Sequence, residues 1–215
     1  MTETGRLITL EGGEGVGKST QIRRLETALA KAGIDVVVTR EPGGTPGAEA
    51  IRGLVTEGTA DRWSPLTETL LFLAARQDHV ERLIRPALAA GRWVICDRFI
   101  DSTRVYQGIA GTLGLDLIDR LHRTIFDRLS PDLTILLDLP VDTGLGRRQG
   151  AGDVNRFDRM VTGFHERVRQ GFLDLAAGEP ERFFVIDAAP APDEVATAIA
   201  DLIMDRFLAN RPAGA

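Results

Sequence analysis

The chain is poor in cysteine, lysine, histidine and long apolar runs, and each shortage narrows what it can be. A single cysteine, Cys96, in 215 residues leaves no partner for a disulfide within the chain. Its place in the apolar run 93–97 predicts a buried core thiol rather than a nucleophile. Three histidines, His79, His122 and His165, are scattered without metal-ligand spacing, so structural or surface roles are expected for them. No apolar run approaches the length of a membrane span, and no charged-then-apolar leader opens the chain. A cytoplasmic, soluble protein is therefore expected. The net charge of −5 argues against a general nucleic-acid or membrane-surface binder. It does not argue against a nucleotide ligand, because a local arginine cluster can dominate one pocket. Lysine is the most telling shortage. Of 26 basic residues only Lys18 and Lys31 are lysines, so a lysine kept where every other base is arginine points to a compact ammonium that a planar guanidinium cannot replace.

Lys18 lies in Glu11-Gly12-Gly13-Glu14-Gly15-Val16-Gly17-Lys18-Ser19-Thr20. An apolar run at 7–10 precedes this stretch and a helix-periodic segment at 21–32 follows it. Gly12, Gly17, Lys18 and Ser19 spell G-x-x-x-x-G-K-S in the order strand, loop, helix. Glycines allow the backbone to curl around phosphate oxygens, Lys18 supplies charge to the β- and γ-phosphates, and the Ser19 hydroxyl can ligate Mg²⁺. The stretch 12–20 is the expected ATP-binding loop.

At this length the chain is expected to be one domain over 1–215, with an inserted lid. Five short apolar or β-branched runs, at 7–10, 36–39, 93–96, 133–137 and 183–186, are separated by helix-periodic segments. That pattern predicts an α/β fold with a five-stranded parallel sheet flanked by helices on both faces. The first helix buries Ile22, Leu25, Ala28 and Leu29 and ends at Gly33. A helix from Ser64-Pro65 carries Leu66, Leu70, Leu71, Phe72 and Leu73, an apolar surface wider than one stripe, which predicts contact with a second subunit. A further stripe runs through Phe157, Val161, Phe164, Val168, Phe172 and Leu175, and another through Val195, Ile199, Leu202 and Ile203. Residues 211–215 read as a frayed tail. Ligands of open α/β sheets bind at the carboxyl ends of strands. Here those ends are Glu11, Arg40-Glu41-Pro42-Gly43-Gly44-Thr45, Asp97-Arg98-Phe99 and Asp138-Leu139-Pro140, with Asp138 read as structural.

A phosphate loop alone does not say what is done with the triphosphate. A regulatory GTPase needs an Asn/Thr-Lys-x-Asp signature, and Ala30 before Lys31 leaves it unfilled. A small-molecule kinase explains more, because Arg52 and Arg98 can form a second anion pocket. The stretch Gly144-Leu145-Gly146-Arg147-Arg148-Gln149-Gly150-Ala151-Gly152-Asp153-Val154-Asn155-Arg156 is glycine-rich, basic and without apolar period, as suits a lid over phosphates at about 144–156.

At Asp97-Arg98-Phe99-Ile100-Asp101-Ser102-Thr103-Arg104-Val105-Tyr106-Gln107 the sequence closely resembles the bacterial thymidylate kinases. Arg40-Glu41-Pro42-Gly43-Gly44-Thr45 and Phe72-Leu73-Ala74-Ala75-Arg76 share the resemblance, which runs from about residue 5 to 207. It implies a P-loop nucleoside monophosphate kinase fold and transfer of the γ-phosphoryl of ATP to dTMP with Mg²⁺, a step of dTTP synthesis for DNA replication. It also implies a homodimer. Phe72 matches the ring that stacks on thymine, Arg76 the arginine that bonds a base carbonyl, and Arg52 and Arg98 the monophosphate clamp. Ser102, Thr103 and Gln107 fall in the dTMP-binding string, the latter two near the base, and Tyr106 matches the ring crowding the sugar 2′ position. Glu11, Glu41 and Pro42 match contacts near the sugar and acceptor phosphate. The implied catalytic set is Lys18, Arg98, Arg148 and Glu11, with Ser19 and Asp97 at the metal. Such kinases place one further arginine in the phosphate loop or in the lid. Glu14-Gly15 holds none, so the lid type is implied, although Gln149 and Ala151 depart from its denser arginine pattern. Arg147, Arg148 and Arg156 remain candidates, with Arg148 preferred. A kinase for another monophosphate, such as dUMP or dGMP, and a P-loop switch protein are the alternatives.

Overall fold

The computed structural model describes residues 5–59, 61–127, 129–149 and 156–209. Five parallel strands, β1 (Leu7–Glu11), β2 (Val36–Arg40), β3 (Trp93–Asp97), β4 (Leu133–Asp138) and β5 (Phe183–Asp187), lie in the order β2-β3-β1-β4-β5. Each runs one residue beyond the apolar stretch that predicts it, because pairing continues into the polar residue at its end. Leu10 pairs with Asp97, and Asp97 with Arg40, so the functional carboxyl ends are held in register.

Alternation along β1 divides the core. Ile8 and Leu10 face α1 (Lys18–Lys31) and α9 (Pro192–Ile203), where Ile22, Leu25, Leu29, Val195 and Ile199 close one layer. Leu7, with Val94 and Cys96 of β3, faces the opposite layer. That layer is built by α2 (Pro46–Thr56), α3 (Pro65–His79), α4 (Arg85–Ala89), α5 (Ile100–Thr103) and α6 (Leu115–Phe126). Thr45 and Ser64 cap α2 and α3 by accepting from Ala48 N and Thr67 N, each followed by a proline at the first helical turn. A π-helical segment, Arg104–Ile109, continues α5, and its Val105 and Tyr106 pack on α8 (Thr162–Gly178). Cys96 is buried, as its run predicts, and burial pushes its thiol well above the usual range.

Two expectations need correction. Residues 144–149 are not irregular: they belong to α7, Val141–Gln149. Only Val141 and Leu145, one turn apart, supply apolar contact, and Gly144 and Gly146 hide the helical pattern, since each glycine weakens a helix by about 1 kcal/mol relative to alanine. Residues 150–155 of the expected lid, and the tail at 211–215, lie outside the described residues. Second, the stripe thought to begin at Phe157 starts at Phe164. Val161 is 74% exposed as the extended N-cap of α8, and Phe157 sits in a separate 3-10 turn, Phe157–Arg159. Among the described residues no helix is long and apolar enough to cross a membrane.

Candidate active site

The loop after β1 feeds directly into α1, whose first residue is Lys18. The Lys18 ammonium donates to Gly12 O (3.1 Å) and Gly13 O (2.9 Å), which holds it across its own loop. Burial, then repulsion from Arg98, lowers it to about 8 against the attraction of Asp97 and Glu14. Ser19 Oγ donates to Asp97 Oδ2 at 3.4 Å, while Asp97 Oδ1 is buried with no hydrogen-bond partner among the described residues. These two oxygens, one hydroxyl and one carboxylate, suit Mg²⁺, which keeps most of its waters and takes few protein ligands. No cluster of three or more His, Cys, Asp or Glu side chains among the described residues offers a fuller metal cage.

The lid-side wall depends on a close backbone approach. A Cβ on Gly15, where φ is +71°, would lie 1.9 Å from Gly144 O, and one on Gly144 would lie 2.4 Å from Glu14 O. Glycine at both positions lets α7 rest on the phosphate loop and brings Arg147 and Arg148 to the cleft that Lys18, Ser19, Asp97 and Arg98 also border. Arg147 Nη1 donates to Ala188 O (3.2 Å), and Arg148 pairs with both oxygens of Asp158 (3.1 and 3.2 Å). Arg156 lies elsewhere. It is 5% exposed, with its backbone N–H on Thr56 O (3.1 Å), Nε on Val55 O (2.7 Å) and Nη2 on Glu68. Gly144→Ala is expected to raise the KM for ATP or lower kcat by at least about tenfold, although alanine favours the helix. Gly146→Ala, whose Cβ meets nothing within 4 Å, is expected to change neither. Equal behaviour of the two variants in steady-state kinetics would remove the contact from the account.

Beside this cleft lies a pocket with about 610 Å³ of empty space, counting its open mouth, within the range of small-ligand sites. Glu41, Pro42, Arg52, Phe72 and Arg76 form one side, and Arg98, Ser102, Thr103, Tyr106 and Gln107 the other. Glu14, Glu41, Arg52 and Arg98 border both the pocket and the phosphate-loop cleft. Arg52 Nη1 is tied to Pro42 O at 2.7 Å. Arg98 adopts a left-handed backbone, φ 67°, rare for a side chain of this size and of the kind stored at functional sites. Its guanidinium donates to Ser102 Oγ (3.0 Å) and Glu14 Oε1 (2.9 Å) and lies 5.1 Å from the Tyr106 ring centre. Phe72 lies 6.2 Å, centroid to centroid, from Phe157.

The two acids expected near the sugar behave differently from each other and from Glu14. Glu11 is fully buried and is not a pocket residue. It accepts from Phe99 N (2.8 Å), Ser102 N (3.2 Å) and Ser102 Oγ (2.6 Å), so it shapes the Arg98 loop from beneath. Burial and the nearby Asp101 carboxylate raise it to about 7. A direct catalytic contact does not agree with this placement. Glu41 uses one oxygen for Arg76 Nε (2.6 Å) and the other for His79 Nδ1 (3.0 Å), which makes it the anchor of Arg76. Glu14 faces the pocket as well. Burial alone would raise its carboxyl, but Arg98, Lys18 and the Tyr106 hydroxyl (2.9 Å) hold it near 2, so it stays ionised. Sequence reasoning treats Glu14 as one more loop residue, and only its missing arginine drew attention to it. Asp138, read as structural, accepts from Arg169 Nε and Nη2 at 2.7 and 2.8 Å.

Sequence reasoning also misses Phe157. It lines the pocket and meets Tyr106 edge-to-face at 5.7 Å. Assigned to a core stripe by its spacing from Phe164, it offers no local signal of a pocket role. Arg76 presents the opposite case. Nε and Nη2 are held by Glu41, Phe99 O (3.1 Å) and Thr103 Oγ1 (2.9 Å), while buried Nη1 has no hydrogen-bond partner among the described residues. A buried donor without an acceptor in a pocket wall is a ready contact for a polar ligand atom. Gln107 is turned to Glu68, donating at 2.8 Å, and Glu68 also receives Arg156.

Comparison with known proteins agrees with this geometry. The family described as thymidylate kinase matches residues 10–199. A thymidylate kinase of Caulobacter vibrioides is 54% identical over 203 residues, covering 94% of this chain and 98% of that protein. One from Ruegeria pomeroyi is 52% identical over 212 residues, covering 98% and 100%. The crystal structure of thymidylate kinase from Ehrlichia chaffeensis superposes with a TM-score of 0.77 at 34% identity, covering 93% of this chain and 99% of that one. Phosphate loop, acceptor pocket, strand order and near full-length identity converge on one conclusion: the chain belongs to the thymidylate kinase family.

Proposed function

We propose that ATP in the phosphate-loop cleft and dTMP in the neighbouring pocket meet across Arg98 and Arg52, with Mg²⁺ held through Ser19 and Asp97. The reaction is the phosphorylation of dTMP to dTDP. The observation that carries this reading is that both arginines border both cavities. A loose phosphoryl transition state needs alignment and charge neutralisation more than covalent help. Lys18 and Arg148 serve the transferring group, Arg52 and Arg98 hold the acceptor phosphate, Phe72 stacks on the base, and the unpartnered nitrogen of Arg76 meets a base carbonyl. Tyr106, fixed by Glu14, bounds the sugar. Glu11 and Glu41 act by holding the Arg98 loop and Arg76. Mg²⁺ supplies charge neutralisation between the phosphates when bound. The lid, at about 144–156, takes in the second half of α7.

A coupled assay with ATP, Mg²⁺ and a panel of monophosphates tests this reading. Strong dTMP-dependent ADP production is expected. Hydrolysis independent of any acceptor, or preference for another monophosphate, would overturn it. A homodimer is the companion proposal. It is supported by Leu66 and Leu70 on α3, 44% and 48% exposed, beside Leu54 on α2, since exposed leucines gathered on packed helices mark an interface. A monomer in sedimentation at micromolar concentration would remove it.

A further inference from the structure

The wall of the acceptor pocket formed by Ser102, Thr103, Tyr106 and Gln107 comes from one short run, α5 and the π-helical segment after it. The run changes from four residues of α-helix to six of π-helix, a winding that is rare and found mostly at functional sites. Contacts outside the run help set the angle at which it presents these side chains. Each of these side chains is tied to a partner, Ser102 to Glu11, Thr103 to Arg76, Tyr106 to Glu14 and Gln107 to Glu68. The run is also held by Asp101.

Asp101 has no exposed surface. Both its oxygens take an Arg182 nitrogen, Oδ2 from Nη1 at 2.7 Å and Oδ1 from Nη2 at 2.8 Å. Such a two-point pairing fixes orientation as well as distance. Arg104 adds a bond to Oδ1 at 3.2 Å. Thr134 Oγ1 donates to Oδ2 at 3.2 Å and accepts from Arg182 Nη1 at 2.7 Å. A hydroxyl has one proton and two lone pairs, so Thr9 Oγ1, 3.0 Å away, must donate to Thr134. Arg182 is fixed in turn by Glu179 Oε2 at 2.8 Å and lies over the Phe183 ring at 4.4 Å. It precedes β5 and borders neither cavity.

We infer that Arg182, acting through Asp101, is a positioning residue for acceptor recognition, pinning the pocket wall to β4 and the start of β5. The inference rests on dTMP being the acceptor. Its closing experiment separates the two claims, because a wild-type enzyme inactive toward dTMP overturns that reading before any variant is compared.

Steady-state kinetics on Arg182→Met, Arg182→Lys and Asp101→Asn test the inference, with thermal melts to show folding. For Arg182→Met the KM for dTMP is expected to rise at least about tenfold while that for ATP moves less than about twofold. Arg182→Lys keeps the charge without the fork and is expected to fall between. In the double variant Arg182→Met/Asp101→Asn, the arginine change is expected to add little to the effect of Asp101→Asn alone, since both break one connection. An unchanged dTMP KM in folded Arg182→Met, parallel rises in both KM values, or full additivity would each overturn it. If Arg182→Met does not fold, Arg182→Lys decides: a wild-type dTMP KM in that folded variant overturns the inference, and a selective rise supports it.

Discussion

Arg148→Ala is expected to lower kcat by on the order of 10³-fold, the scale of an arginine removed from a transferring phosphoryl group, with little change in dTMP KM. Arg156→Ala is expected to act differently, raising the dTMP KM and lowering the melting temperature. The two arginines stand at opposite ends of the same basic segment but in different surroundings. Arg148 is half-buried at the phosphate-loop cleft, carried there by the contact between Gly144 and Glu14. Arg156 is buried beside Val55, Thr56 and Glu68, and its neighbour Phe157 lies on the acceptor pocket. Its loss removes a donor from Val55 O and, among the described residues, leaves Glu68 with Gln107 alone, at a net cost of about 1–3 kcal/mol. Single-turnover and steady-state kinetics on both variants check this. Near-wild-type turnover in Arg148→Ala with orders of magnitude lost in Arg156→Ala would reverse the assignment.

Arg76→Met is expected to be severe for both stability and binding, and the two losses can be pulled apart. Arg76 and Glu41 have side chains only 2% and 5% exposed. Removing one partner of such a pair leaves an uncompensated buried charge, destabilising by roughly 3–5 kcal/mol. For a domain of this size that lowers Tm by roughly 6–20 °C. The dTMP KM should rise at least about tenfold, because the unpartnered Nη1 in the pocket wall is lost as well. Adding Glu41→Gln removes the stranded charge and is expected to restore part of the melting temperature without restoring dTMP binding. Calorimetry and dTMP titration of the single and double variants give the answer. A double variant no more stable than Arg76→Met would contradict the buried-pair explanation, and an unchanged dTMP KM in Arg76→Met would remove Arg76 from base recognition.

Whether a feature was legible in the sequence followed from the range of the interaction behind it. Each strand appeared as a β-branched or apolar run; β1, β3 and β4 are buried along nearly their whole length, and a strand covered on both faces leaves that mark on consecutive residues. The capped start of α3 was similarly local, written in Ser64-Pro65. The phosphate loop was legible because its chemistry requires particular residue types at fixed spacing. Resemblance, rather than periodicity, supplied the acceptor side: Phe72, Arg76 and the Arg98 to Gln107 string. By contrast α7 was hidden, since Gly144 and Gly146 oppose helix and the contact that holds it comes from Glu14, far away in the chain.

The sequence by itself determined the parallel α/β architecture, the phosphate-loop motif and, through family resemblance, most of the residues that line the pocket proposed for dTMP. Tertiary structure alone decided their division of labour. It put Glu14 into the pocket and Glu11 beneath it, brought Arg148 to the phosphate-loop cleft and buried Arg156 beside Val55 and Glu68, and made Phe157 a pocket ring as well as a ring packed on the core. Asp101 met Arg182 across 81 positions. A carboxylate or guanidinium reads the same in any sequence. Burial and the charge placed opposite it, both set by distant segments, decide whether it holds substrate, holds another residue or holds the fold.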